Sequence, residues 1–214
     1  MEDNKFKKAV ERQMQRDKAK SSRRVRNEVA QRFQLVRRLQ GALCISPVTY
    51  IDLGKVKKKT RPLGLCVCVT CGACDHYKKM DGGHFQSRDR PFTMLMPENV
   101  NPQCKYCNDQ KGLSGNYAMY RQWIDETVDK YVLIRRLVNA TGNEQEAEVH
   151  EGSSPSELMI RLSNIPSPHT AETIAVARIQ TNSFIRKLTA QLDEKVAEHG
   201  TKHDGTGHET NWTA

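Results

Sequence analysis

Two stretches decide how this chain folds: Cys66-Val67-Cys68-Val69-Thr70-Cys71-Gly72-Ala73-Cys74, and further on Gln103-Cys104-Lys105-Tyr106-Cys107-Asn108. They hold six of the seven cysteines. Two thiolates set two residues apart can grip one ion from a tight turn, and two such turns supply the four soft ligands of a closed tetrahedral Zn²⁺ site. Upstream, either Cys68 with Cys71 or Cys71 with Cys74 can be matched against Cys104 with Cys107. The backbone after the second cysteine of such a knuckle tends to need positive φ, which glycine adopts freely and asparagine tolerates. Gly72 follows Cys71 and Asn108 follows Cys107, so Cys68, Cys71, Cys104 and Cys107 are the expected structural zinc ligands. Cys66 and Cys74 are then bystanders or a poorer alternative set. Cys44 lies apart and reads as a small apolar residue.

Outward from this core the chain runs to 214 residues, with 34 Lys and Arg against 25 Asp and Glu, only 37% apolar and 6% aromatic residues. Such a composition buries a modest core. An odd cysteine count, a charged N-terminus without an apolar h-region and no long apolar run argue against a disulfide framework and against membrane or secreted classes. A cytoplasmic protein is expected. The charge is uneven: residues 1–61 hold 18 Lys and Arg but only 6 Asp and Glu. A basic arm on a near-neutral body is the pattern of a polyanion binder, since each Lys or Arg that neutralises a phosphate releases counterions.

Residues 1–61 read as a basic, mostly helical arm. Val25, Val29, Phe33, Val36 and Leu39 give a thin apolar stripe at steps of three or four, and Lys57, Lys58 and Lys59 form a charged run toward the core. Residues 62–138 are the expected zinc-bound core, ending in a helix marked by Tyr117, Tyr120, Ile124, Val128 and Tyr131. Residues 139–169, polar and glycine-containing, are expected to be a linker or insertion. Residues 170–198 resume helical spacing, and 199–214 read as a disordered tail.

Inside the core lie Asp81-Gly82-Gly83-His84-Phe85 and Asn99-Val100-Asn101-Pro102 leading into the second cysteine pair. These segments resemble the HNH, or ββα-metal, endonucleases. A closer likeness is to the phage lambda NinG (Rap) recombination endonucleases, which they resemble in the ordered series Cys68-x-x-Cys71-Gly72, Asp81-x-Gly83-His84-Phe85, Asn99-x-x-x-Gln103-Cys104-x-x-Cys107-Asn108 and Gly115-Asn116-x-x-x-Tyr120-Arg121. The resemblance covers about residues 65–122. It implies an α+β fold, a zinc-braced ββα-metal core flanked by long helices, and a metal-dependent DNA endonuclease acting on branched DNA such as four-way junctions or D-loops. If phage-encoded, such a protein works in the host cytoplasm. The basic arm could follow several phosphate tracks or form a homodimer across a junction.

The residue types suit that chemistry. Phosphodiester hydrolysis needs a base, a hard cation at the leaving oxyanion and cationic groups on the nonbridging oxygens. His84 is the expected base, because a neutral imidazole accepts a proton near physiological pH. Asn108 offers an amide oxygen to Mg²⁺ or Mn²⁺. By family analogy Asn99 orients the hairpin or positions the histidine. The acidic residue that many HNH sites carry just before the histidine is replaced by Gly83, and Asp81 is the nearest substitute. Strand alternation would put Asp81 and His84 on opposite faces unless Gly82 and Gly83 break the strand. Arg88, Lys111 and Arg121 are the expected phosphate contacts near the site, with Lys57, Lys58 and Lys59 as further nucleic-acid contacts. The loop Asp109–Ser114 is about two residues longer than the family pattern. The rival is a noncatalytic zinc-finger module that binds nucleic acid.

Overall fold

The first third forms two helices, and the apolar stripe expected there lies wholly on the second. A computed structural model describes residues 2–18, 20, 22–44, 47–59, 62–109, 111–166 and 169–199. The expected tail 199–214 falls outside them apart from His199. Among the described residues the elements run α1 (Glu2–Asp17), α2 (Ser22–Leu43), β1 (Val48–Asp52), β2 (Lys55–Lys59), β3 (Leu65–Val67), β4 (Cys74–His76), β5 (Asp81–His84), β6 (Val100–Gln103), α3 (Lys105–Asn108), α4 (Tyr117–Thr127), α5 (Lys130–Thr141), α6 (Glu146–Val149), α7 (Pro155–Ser163) and α8 (Ala171–His199). The class is mixed α+β, and the strands form three separate antiparallel hairpins, β1-β2, β3-β4 and β5-β6. No described helix is long and apolar enough to cross a membrane.

The N-terminal third is not a free arm. Val25, Val29, Val36 and Leu39 are buried, and α2 packs along α8 and against the β5-β6 hairpin. Several of its cations point inward. The Arg37 Nε donates to the Val100 carbonyl (2.9 Å) and its Nη2 to Asn101 Oδ1 (3.0 Å). Arg38 Nη1 donates to the carbonyls of Met80 (2.8 Å) and Tyr77 (3.1 Å). On the other face of this layer, the buried Arg178 of α8 bridges Asp17 of α1 and Glu28 of α2. Lys20 and Arg178 hold the Glu28 carboxyl down to about 2.

One apolar cluster joins the remaining helices to the core: Val69, Phe85, Tyr120 and Ile124 pack with Leu133, Leu137, Leu158, Met159 and Leu162. The segment 139–169 is therefore not a linker. Its polar and glycine residues are helix punctuation. Gly142 ends α5 in the left-handed conformation (φ 68°). Ser154 opens α7 with Pro155 in the first turn and a reciprocal capping box, in which Glu157 N donates to Ser154 Oγ and Ser154 N donates to Glu157 Oε2. Arg161 of α7 then grips Glu146 of α6 through two nitrogens.

The β1-β2 hairpin docks on the outside of this core. Ile51 is fully buried and its N–H donates to the Val69 carbonyl (3.2 Å). Trp123 Nε1 of α4 donates to the Thr49 carbonyl (3.0 Å). The hairpin turns through Leu53 (φ 48°) and Gly54 (φ 76°) between the paired Asp52 and Lys55, a two-residue type I′ turn that normally takes Asn or Gly first. A leucine held there costs about 1–2 kcal/mol.

Because α7 belongs to the core, Leu162→Ala should lower the unfolding free energy by about 3 kcal/mol in urea titrations. A surface linker would tolerate it within a few tenths.

Candidate active site and cysteine cluster

Two turns bring four thiols together. Cys68, Cys71, Cys104 and Cys107 place their sulfurs within 4.8 Å of one another, and Cys71 Sγ and Cys104 Sγ stand 3.7 Å apart. The upstream turn closes through Gly72 N donating to the Cys68 carbonyl (2.9 Å), with Gly72 at φ 73° as its sequence position predicts. A side chain there would also strike the ring of Tyr50. Asn108 departs from the same expectation, because it lies in α3 and does not take positive φ. Cys66 is turned away, its thiol donating to the Arg38 carbonyl (3.0 Å), and Cys74 sits on β4.

Four thiols this close cannot all ionise without a cation. The hydrogen bond from Cys71, together with one from Thr70, draws the Cys68 thiol down to about 4. That same hydrogen bond, and then burial, pushes Cys71 up, while burial pushes Cys104 up to about 11. A dication in the middle removes the conflict, and the four soft donors fit one tetrahedral ion such as Zn²⁺. Asn116 Nδ2 reaches Cys107 Sγ at 3.8 Å, a donor suited to a thiolate.

Beside this cluster, β5, the end of α3, the loops that follow each of them and Gln34 of α2 line an open cleft of about 770 Å³ bounded by Gln34, Asp81, His84, Arg88, Asn108 and Ser114, among others. The structure brings Asp81, His84, Asn108 and Arg88 to one space. Asn108 Nδ2 donates to Asp81 Oδ2 (3.2 Å). The β5-β6 pairing is continuous from Asp81 opposite Gln103 to His84 opposite Val100, so the glycines do not break the strand, yet both side chains reach the cleft. The glycines are required for another reason. A Cβ on Gly83 would sit 1.8 Å from Gln103 Oε1, and one on Gly82 would sit 2.5 Å from Gln34 Cβ. A side chain at position 83 would therefore have to displace the buried Gln103 side chain, which is consistent with the glycine found there.

His84 is oriented at both ring nitrogens. Its Nε2 lies 3.3 Å from the Met94 carbonyl, and its Nδ1 lies 3.3 Å from Gln34 Nε2. A carbonyl can only accept, so Nε2 carries the proton and the Nδ1 lone pair accepts from Gln34. Burial, and secondarily the Arg88 charge, lowers the His84 pKa to about 4, and the ring is neutral at physiological pH. Asn99, fully buried, clamps the loop that carries Met94: its Oδ1 accepts from Gln86 N (2.7 Å), and its Nδ2 donates to the carbonyls of Gln86 and Thr93 (both 3.0 Å). Tyr120 fixes the hairpin from below, its buried hydroxyl donating to the Gly83 carbonyl at 3.1 Å and accepting from Asn101 Nδ2 at 3.2 Å. Burial pushes its pKa up.

Other expected phosphate contacts lie elsewhere. Arg121 donates to Ser156 Oγ (3.1 Å) and ties α4 to α7. Lys111 is exposed in the loop after α3 and does not line the cleft, whereas Ser114 and Gly115 of the same loop do. Ser114, Gly115 and Asn116 all take positive φ, a conformation that glycine adopts freely and asparagine tolerates, so the strain falls on Ser114. Lys57, Lys58 and Lys59 lie on β2, away from the cleft lining. Sequence reading missed Gln34, which helical spacing places on the cleft side of α2 only once the hairpin's position is known, and the Met94 carbonyl, for which backbone leaves no signal.

The chain matches no protein-family model, no curated protein and no solved structure.

Two outcomes follow from this geometry. Purified protein should carry one zinc ion per chain by elemental analysis, and Cys104→Ser should leave the core unfolded by circular dichroism, because structural zinc contributes about 10–16 kcal/mol of folding free energy in small domains. In the pH direction, a histidine whose folded pKa is depressed loses stability as pH falls, across the window between its unfolded and folded values. The His84 ring resonance should therefore titrate near 4 by NMR, and stability should decline from about pH 6.5 down to about pH 4.

Proposed function

We propose that this chain is a metal-dependent DNA endonuclease of the HNH type, related to the NinG recombination nucleases. The observation that carries the reading is the oriented imidazole. His84 Nε2 is tied to the Met94 carbonyl and Nδ1 faces Gln34, while the residue lines one cleft together with Asp81, Asn108 and Arg88. In the free protein the Gln34 amide occupies the Nδ1 lone pair, marking where an attacking water would bind.

The Asp81 carboxylate and the Asn108 amide are hard oxygen donors on neighbouring side chains; turning the amide, whose Nδ2 faces Asp81, would bring its oxygen to the same side, a set that would fit Mg²⁺ or Mn²⁺ and not a soft ion. Such a dication, when bound, supplies charge neutralisation at the leaving oxyanion. The protein's own groups do the rest. His84 Nδ1 takes a proton from water, the water oxygen forms a bond to phosphorus, and the bond from phosphorus to the 3′ oxygen breaks. Arg88 meets the nonbridging oxygens. Asn99 and Tyr120 hold the hairpin and its loop so that the imidazole does not turn. The four-cysteine site offers no open position for water and is structural.

Resemblance to NinG supplies the substrate class, branched DNA. The test incubates the full chain with labelled four-way junction, linear duplex and single strand, with Mg²⁺ or Mn²⁺. His84→Ala should reduce cleavage by about 100-fold or more, and Asn108→Ala should reduce turnover with the fold intact. Undiminished cleavage by His84→Ala removes the mechanism, and salt-sensitive binding without cutting by the parent protein establishes the noncatalytic zinc-finger reading instead.

A further inference from the structure

The most exposed large apolar side chain among the described residues is Leu53, 91% exposed at the tip of the β1-β2 hairpin. It is held at positive φ where a glycine or asparagine would sit without strain. An apolar residue that is both strained and fully in water serves neither turn nor core.

The hairpin beneath it is rigid and basic. Gln122 Nε2 donates to the Gly54 carbonyl (2.8 Å), Trp123 holds Thr49, and Lys57 pairs with Asp52 across the strands. Register puts Lys55, Lys57 and Lys59 on one face of the ribbon, and Lys58 on the other is also exposed. Alternate residues of a strand are about 7 Å apart, which is twice the axial spacing of about 3.4 Å between charges on one DNA strand. A basic ribbon ending in a bare aliphatic tip is what a duplex-deforming protein uses: the lysines follow the backbone and the apolar wedge enters a base step and unstacks it.

We propose that the β1-β2 hairpin is a DNA wedge, with Leu53 inserted between bases and Lys55, Lys57, Lys58 and Lys59 on the flanking phosphates. The proposal rests on the reading that this chain binds DNA, and it gives that reading a physical source of preference for branched DNA. Base steps at a junction are already weakly stacked, so insertion is least costly there.

The experiment uses the full zinc-loaded chain, without added magnesium or manganese, on a four-way junction and a matched duplex carrying 2-aminopurine at steps around the branch point. The fluorescence of the parent protein's junction complex should rise as one step unstacks. Leu53→Gly relieves the backbone strain, so its melting temperature should be no lower than the parent's, and it should bind while losing the fluorescence rise. Leu53→Met should keep the rise. Replacing Lys57, Lys58 and Lys59 together by alanine should reduce the slope of log affinity against log salt by about 2–3. An undiminished rise with Leu53→Gly overturns the wedge, as does a parent complex with no rise on either DNA. Cleavage on later addition of Mg²⁺ is scored separately: unstacking without cleavage overturns the nuclease reading alone, and cleavage without unstacking overturns the wedge alone.

Discussion

Four sulfur atoms within 4.8 Å of one another tie the turn after β3 to the start of α3, and the rest of the site depends on that cross-link. The strands here are short, three or four residues each in the β3-β4 and β5-β6 hairpins, and a two-stranded hairpin has little stability of its own in water. An ion held there would close a long loop and set the hairpin, the cleft and the α3 terminus in fixed relation. Asn108 directly follows one of the four cysteines, and Asp81 is opposite Gln103, the residue before another, so the contact between Asn108 and Asp81 lies next to that cluster.

The second constraint is the way α2 backs the hairpin. Arg37 and Arg38 satisfy carbonyls of the β5-β6 region and of the turn that leads into it, while Gln34 reaches the imidazole. The charge excess of the N-terminal third thus has two uses that composition cannot separate. Cations on α2 brace the core, and cations on β2 face solvent. Half-buried guanidinium groups with carbonyl acceptors are positional devices, because a misplaced hairpin would leave a partly desolvated charge unpaired.

What the sequence made legible follows from short-range rules. The choice of Cys68 over Cys74 rested on the turn preference of one glycine, and Gly72 does carry positive φ. The pairing of Asp81, His84 and Asn108 in one cleft was readable only through resemblance, because it depends on contacts across many residues. Composition makes segment 139–169 look like a linker or insertion; its α7 packs in the core, and Ser154-Pro155-Ser156-Glu157 spells that helix start. Arg121 looked like a phosphate contact until α7, with Ser156, was seen to pack against it. Gln34 gave no signal at all, since a glutamine on a polar helix face is unremarkable until its neighbour is known.

Gly83 and Gln103 occupy one volume between them. Neither position can be read alone: a side chain entering at 83 must displace the Gln103 side chain, and with it disturb the Nε2 hydrogen bond to the Gly115 carbonyl on the cleft rim. A carboxylate placed next to the imidazole thus calls for a matching change on the opposite strand, so the two positions are coupled in what they can accept.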